Sequence, residues 1–175
     1  KMGAALANAA YGRGASVKAV VANADVRLRP GIEVALVETA AQMEGAITGT
    51  SRWADIVIMA AAVSDFTPKH VAKSKIKKGA TVPTIDLVKT PDILATLGAT
   101  KRKGQVIVGF AAETDDVEVN AIKKIKDKKC DLIIANDVSR KDIGFGSDDN
   151  AVTIIGPKGV LLKTTRFAKD IIADI

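Results

Sequence analysis

Apolar residues fall in short blocks along this chain, and the spacing inside each block separates helices from strands. Residues 2–11 are rich in alanine and are stopped by Gly12 and Gly14, which predicts a helix. Valine-rich runs at 16–22 and 34–37 predict strands, and 40–52 predicts a second helix. Residues 55–63 are apolar after Asp55 with no alternation, the pattern of a parallel strand buried on both faces. The rhythm breaks at 64–84, a polar stretch holding Pro68, Pro83 and a cluster of lysines. It is too long and too polar for a simple connection, and long loops in compact domains are usually functional or mobile.

The pattern then resumes. Strands are predicted at 85–88, 106–110 and 132–135. One helix is predicted at 91–100, with Pro91 in its first turn, and another at 115–129, with acids early and lysines late as the macrodipole favours. Near the end, 151–155 and 160–163 flank Gly156, Pro157, Lys158 and Gly159 and read as a β-hairpin, and 165–175 closes as a helix. Strands alternating with helices predict an α/β fold: a doubly wound, mostly parallel, Rossmann-like sheet with a C-terminal β-hairpin and helix, in one domain over 1–175. Ligands of such sheets bind outside the carboxyl ends of the strands. Most of the polar candidates fall there.

Composition narrows the function classes. The chain is 47% hydrophobic, enough for a full core and too apolar for a disordered segment. A net charge of +6 invites an anionic partner. Aromatics are only 3%, so stacking platforms for bases are scarce, and no nucleic-acid motif is visible. A small phosphorylated substrate explains the charge as well. One cysteine, Cys130, and one histidine, His70, exclude an intrachain disulfide and any zinc spacing, and a reducing, cytoplasmic setting is the natural expectation. No apolar run approaches a membrane span, and no cleavage site follows the apolar start at 1–10, so a signal peptide is not expected.

Five segments can carry chemistry. At the strand end Met59, Ala60 and Ala61, the alanines let a ligand approach the backbone, and Asp65 can accept bonds from ribose hydroxyls or an amine; alanines packed under a helix and a capped turn are the commoner explanation. Lys73 to Lys78 can neutralise a triphosphate or form a solvated charge run. Lys89, Thr90, Pro91, Asp92, Ile93 and Leu94 lead from a strand into a helix N-terminus, where free N–H groups favour anions; Asp92 can instead be an ordinary early acid. Phe110, beside Gly109 and two alanines, can stack on a base or sit in the core, and Lys124 and Lys128 share one helix face that is otherwise a plain basic surface. Asn136 and Asp137 can bond a ligand or tie down a turn. The segment 143–150 reads as structural, Cys130 as a small buried hydrophobe, His70 as solvated, and Trp53 as a seal at the edge of the core. No metal-ligand set stands out.

Taken in order, KMG (1–3), AAVSDF (61–66), KIKK (75–78), TPDIL (90–94), GFAAET (109–114), LIIANDVS (132–139) and GFGSDDN (144–150) resemble the bacterial phosphopantothenate–cysteine ligase domain over nearly the whole chain. Each motif is weak alone; their joint order is specific. The resemblance implies CTP-dependent activation of 4′-phosphopantothenate as an acyl cytidylate, followed by attack of cysteine, with Mg²⁺ or Mn²⁺ sharing the triphosphate charge. It implies a homodimer, to which AAVSDF and the 140s loop contribute. It also implies, where a phosphopantothenoylcysteine decarboxylase is fused upstream, FMN in that other domain.

Carried over residue by residue, the resemblance places CTP contacts at Met59, Ala60, Ala61, Asp65, Lys75, Pro91, Asp92, Ile93, Leu94, Phe110, Lys124 and Lys128. Lys75 is the expected catalytic residue, and Asp65 and Phe110 the nucleoside contacts. The family carries a further strand, a glycine- and serine-rich loop and a catalytic asparagine ahead of KMG; the sequence starts at Lys1, so binding without ligation is expected of this chain alone. A nicotinamide oxidoreductase of the short-chain type would want Tyr and Lys four apart, and Tyr11 has Ala15 at that spacing. A non-catalytic nucleotide sensor would bind CTP without releasing pyrophosphate.

Overall fold

Three apolar runs, Ile56–Met59, Val106–Glu113 and Leu132–Asp137, pair in parallel and set the architecture. The computed structural model describes residues 1–22, 27–72, 74–77, 84–113, 116–137 and 147–175. Lys73, Lys78, Gly79, Pro83, Thr114, Asp115, Val138, Ser139 and residues 140–146, all within segments singled out above, lie outside the described residues.

The elements are α1 (Met2–Gly12), β1 (Lys18–Val21), β2 (Glu33–Leu36), α2 (Ala40–Ser51), β3 (Ile56–Met59), β4 (Phe66–Pro68), β5 (Leu87–Lys89), α3 (Ile93–Thr100), β6 (Val106–Glu113), α4 (Val117–Lys128), β7 (Leu132–Asp137), β8 (Asp149–Asn150), β9 (Val152–Gly156), β10 (Gly159–Lys163), β11 (Phe167–Ala168) and α5 (Lys169–Asp174). The main sheet runs β10-β9-β7-β6-β3. Its β3, β6 and β7 are parallel, and the β9–β10 hairpin adds to β7 antiparallel. The mixed α/β architecture with a mostly parallel centre agrees with the alternating sequence pattern.

The core follows from the period of two along each strand. Ile107 and Ala111 of β6 and Ile133 and Ala135 of β7 pack with Ile155 of β9 against Met43 and Ile47 of α2, Ile93 and Leu97 of α3, and Ala121 and Ile125 of α4. A capping box starts α2: Gln42 N donates to Thr39 Oγ1 at 3.2 Å, and Thr39 N donates to Gln42 Oε1 at 3.0 Å. Buried Gln105 ties the turn ahead of β3 to the start of β6, its Nε2 donating to the carbonyls of Ser51 and Ala54.

Several expectations need correction. The run at 55–63 is not buried on both faces. Its strand ends at Met59 and forms an edge of the five-stranded sheet, with Val57 and Met59 against the core and Ile56 and Ile58 at 59% and 40% exposure. The strand placed at 85–88 belongs to a separate antiparallel ribbon, β4–β5, and β4 rises inside the stretch read as loop. Ribbon strands of three residues are too short to show a period. Helix α3 starts at Ile93 with Asp92 as its N-cap, so Pro91 precedes the helix. The closing helix is confined to Lys169–Asp174 because 167–168 pair with β8. Trp53 does not seal the core; it is 57% exposed.

Helix α3 meets the end of α4 at Gly98. A Cβ there would lie 1.9 Å from the Lys128 carbonyl oxygen, a backbone atom held in the last turn of a helix. Alanine in a helix is normally favoured over glycine by about 1 kcal/mol. At position 98 overpacking of about 1–3 kcal/mol opposes it. Gly98→Ala is therefore expected to lower the urea midpoint. Gly45→Ala and Gly49→Ala in α2, where nothing lies within 4 Å, are expected to raise it. A stabilised Gly98→Ala protein would show that α3 and α4 do not pack this closely.

Candidate functional site

The carboxyl ends of β3, β6 and β7 open on one cavity of about 780 Å³. Met59, Ala60, Ala61 and Asp65 line it after β3, and Pro91, Asp92, Ile93 and Leu94 line it at the start of α3. Phe110 lines it from β6, and Lys124 and Lys128 from α4. Eleven of the twelve residues singled out for a nucleotide thus share one space. The twelfth, Lys75, is exposed in the connection between β4 and β5 and is not among the lining residues.

Local folding explains each placement. The loop after β3 is tied to α3's approach by Thr90 N donating to the Asp65 carbonyl at 3.0 Å and by Thr90 Oγ1 donating to the Ser64 carbonyl. The Asp92 carboxylate accepts from Ala95 N at 3.0 Å, which caps α3, and its other oxygen pairs with Lys128 Nζ. Gly109 lets α3 settle on β6: a Cβ there would stand 2.7 Å from Leu94 Cδ2 and 2.8 Å from Ile133 Cδ1. Partial burial raises the Asp92 carboxyl, but the Lys128 hydrogen bond, the Ala95 N–H and the charges of Lys128 and Lys124 outweigh it, and the group sits below the ordinary carboxylate value.

The cavity is also lined from α1, β7, β8 and α5, and of these contributors the KMG segment and Asn136 were singled out in the sequence. Lys1, Met2 and Gly3 reach it from the start of α1, Asn136 from the end of β7, Asn150 from β8 and Lys169 from α5. The segment 143–150 was read as structural, yet its last residue, Asn150, faces this space and is 1% exposed. Lys169 is 9% exposed, and its ammonium donates to the Ser147 carbonyl. Burial, with the charge of Lys1, holds its pKa below the ordinary lysine value against the pull of Asp148 and Asp149. Lys1 pairs with Asp148 at 2.9 Å. No spacing rule marks a lysine whose burial depends on elements far apart in sequence. Cys130 is buried, and desolvation pushes its thiol up, as suits a core residue.

The cavity thus gathers Lys1, Lys124, Lys128 and Lys169 from three helices around the strand ends. The family model for the DNA/pantothenate metabolism flavoprotein C-terminal domain matches residues 1–175. The chain belongs to this family. It is 46% identical over 160 residues to the coenzyme A biosynthesis bifunctional protein CoaBC of Bacillus subtilis (strain 168), an overlap of 91% of this chain and 39% of that protein. The chain therefore spans about two-fifths of that relative's length. Among solved structures, the C-terminal domain of a coenzyme A biosynthesis bifunctional protein CoaBC superposes with a TM-score of 0.80 at 34% identity, covering 98% of this chain and 76% of that one. A Cab2 H337A mutant in complex with phosphopantothenate-cysteine shares the fold at a TM-score of 0.65 and 16% identity, covering 98% and 74%.

The Asp92–Lys128 pair gives a stability test. Asp92→Ala removes a helix cap and is expected to cost about 1 kcal/mol, whereas Asp92→Asn keeps capping and costs less. Because the folded carboxyl is depressed, its charge contributes stability above the ordinary value of 3.8, and the contribution is lost as pH falls through the lower folded value. The gap in melting temperature between the parent and Asp92→Asn is expected to close on acidification below about pH 4. A gap independent of pH would assign it to something other than this ion pair.

Proposed function

We propose that this domain joins 4′-phosphopantothenate to cysteine using CTP, through an acyl cytidylate, in coenzyme A biosynthesis. The observation that carries the reading is the single cavity. Its lining gathers eleven residues that the family resemblance associates with CTP together with Lys1, Lys169, Asn136 and Asn150, cations and amides suited to a second, anionic substrate. Relatives named for coenzyme A biosynthesis and a neighbour of the same fold bound to phosphopantothenate-cysteine support the substrate pair.

A carboxylate is a poor electrophile, so it must first be given a leaving group. Its oxygen attacks the α-phosphorus of CTP, the bond to the β-phosphate bridge breaks, and pyrophosphate departs. The amine of cysteine then attacks the acyl carbon, CMP leaves, and the amine releases a proton. In this reading Lys124 and Lys128 face the nucleotide's anionic groups, and Asp92 holds Lys128 in place. The free N–H groups at the start of α3 add a favourable field for phosphate. Phe110 stacks on the base, Asp65 accepts from the nucleoside, and the backbone from Met59 to Ala61 reads its edge. Lys75 reaches the triphosphate and stabilises charge on departing pyrophosphate.

Among the described residues no group of three or more His, Cys, Asp or Glu could hold a metal by itself. The resemblance implies Mg²⁺ or Mn²⁺, which would arrive on the triphosphate rather than in a cage of protein ligands. The ion would share the triphosphate charge. FMN belongs to a fused decarboxylase domain where one precedes this domain. A homodimer and a cytoplasmic location complete the proposal; among the described residues no helix is long and apolar enough to cross a membrane.

The test is pyrophosphate release from CTP, with ATP as control, given 4′-phosphopantothenate, cysteine and Mg²⁺. It is run on this chain and on a version extended at its N-terminus to match the longer relatives. The extended protein is expected to release pyrophosphate with CTP and not ATP, and Lys75→Gln to abolish release. Phe110→Ala is expected to raise the KM for CTP about tenfold, as a lost stacking contact of about 1–3 kcal/mol requires. No release from either protein would reject the ligase reading.

A further inference from the structure

The orientation of one side chain in the cavity is dictated by a donor that cannot be reversed. The backbone N–H of Ala151 donates to Asn150 Oδ1 at 3.0 Å. That contact fixes which end of the Asn150 amide is oxygen, so the other end is Nδ2, a donor. Nδ2 in turn donates to Asn136 Oδ1 at 3.2 Å. Were Asn136 turned round, two N–H₂ groups would face each other. Asn136 Nδ2 is therefore directed away from Asn150, and among the described residues it has no protein partner.

The frame around this pair is rigid. Asn136 lies in β7 between Ala112 of β6 and Val152 of β9, paired on both sides. Asn150 is 1% exposed, is paired with Phe167, and has Met2 Sδ 3.9 Å from Nδ2. Both residues line the cavity, as do Lys1 and Lys169. An amide with two unused N–H bonds, held beside cations at a strand end, is matched by an acceptor oxygen carrying negative charge.

We propose that Asn136 presents its side-chain N–H₂ to an anionic oxygen of the acid substrate, phosphate or carboxylate, and that Asn150 is the positioning residue that holds it in that orientation. The inference deepens the ligase reading and rests on it for the identity of the acid. Asn136→Asp keeps the shape and replaces the donor with a carboxylate oxygen. Asn150→Asp still accepts from Ala151 but can no longer donate, so Asn136 must turn and present its oxygen to the cavity.

The experiment is calorimetric titration of the chain and both variants with CTP and, separately, with 4′-phosphopantothenate, alongside melting curves. Each variant is expected to weaken 4′-phosphopantothenate at least tenfold while CTP affinity stays within about twofold, a split that a general loss of structure would not produce. Pantothenate, which lacks the phosphate, and 4′-phosphopantetheine, which lacks the carboxylate, identify the oxygen. A penalty retained only by the phosphorylated pair assigns the phosphate, and one retained only by the carboxylated pair assigns the carboxylate. A folded Asn136→Asp chain that binds 4′-phosphopantothenate like the parent overturns the inference, even if Asn150→Asp fails to fold, and leaves the ligase reading standing. A parent chain that binds neither CTP nor 4′-phosphopantothenate overturns both.

Discussion

The close approach of α3 to the last turn of α4 is the contact on which the site depends. Gly98 permits it, because any side chain there would meet the Lys128 carbonyl. Gly109 permits the matching descent of Leu94 onto β6. Held this way, the N-terminus of α3 faces the same space as Lys124 and Lys128, and Asp92 can both cap its own helix and pair with Lys128. Capping, ion pairing and cavity shape are thus one arrangement. Moving α3 outward by the width of a methyl group would disturb all three.

Charge in the cavity is balanced locally by the protein's own acids. Asp92 answers Lys128, and Asp148 answers Lys1. Both carboxyls sit below their ordinary values; at Asp148 the hydrogen bond and charge of Lys1 are the first causes. The Lys1–Asp148 pair is largely exposed, and solvent-screened pairs of that kind contribute little to stability. An incoming anion can therefore take Lys1 from Asp148 at little cost. Lys169 differs, since burial already disfavours its charge, and a neighbouring anion would restore it.

Much of this was legible in the sequence, for physical reasons that differ by element. The strands β6 and β7 were found because continuous apolar runs bounded by polar turns have few other uses, and α4 because its charges follow its dipole. That residues after β3, on β6 and at the start of α3 share one cavity was legible because strand ends and one helix start carry them. What escaped depends on contacts between distant segments. Ribbon strands β4 and β5 are too short for a period, and the edge position of β3 is a matter of sheet order rather than of local pattern. Trp53 was misplaced because bulk alone does not say which side of an edge a ring falls on. Asn150 and Lys169 gave no signal because their burial is created by α1, β7 and α5 converging.

That convergence also explains why neutral amides, rather than another lysine, stand at the end of β7. Alternation along β6 and β7 sends Ile107, Ala111, Ile133 and Ala135 to the core. The intervening positions, Phe110 and Asn136, point the other way and line the cavity at the strand ends. Asn136 is thereby flanked by strands on both sides and has little room to swing. A lysine there would bring another positive charge near Lys169, where the charge of Lys1 already adds to burial in lowering the pKa. An amide adds directional donors without adding charge, and its direction is set through Asn150 by the backbone N–H of Ala151, just ahead of the neighbouring strand β9. The sheet thus supplies direction and the helices supply charge, and the proposed binding of two anionic substrates draws on both.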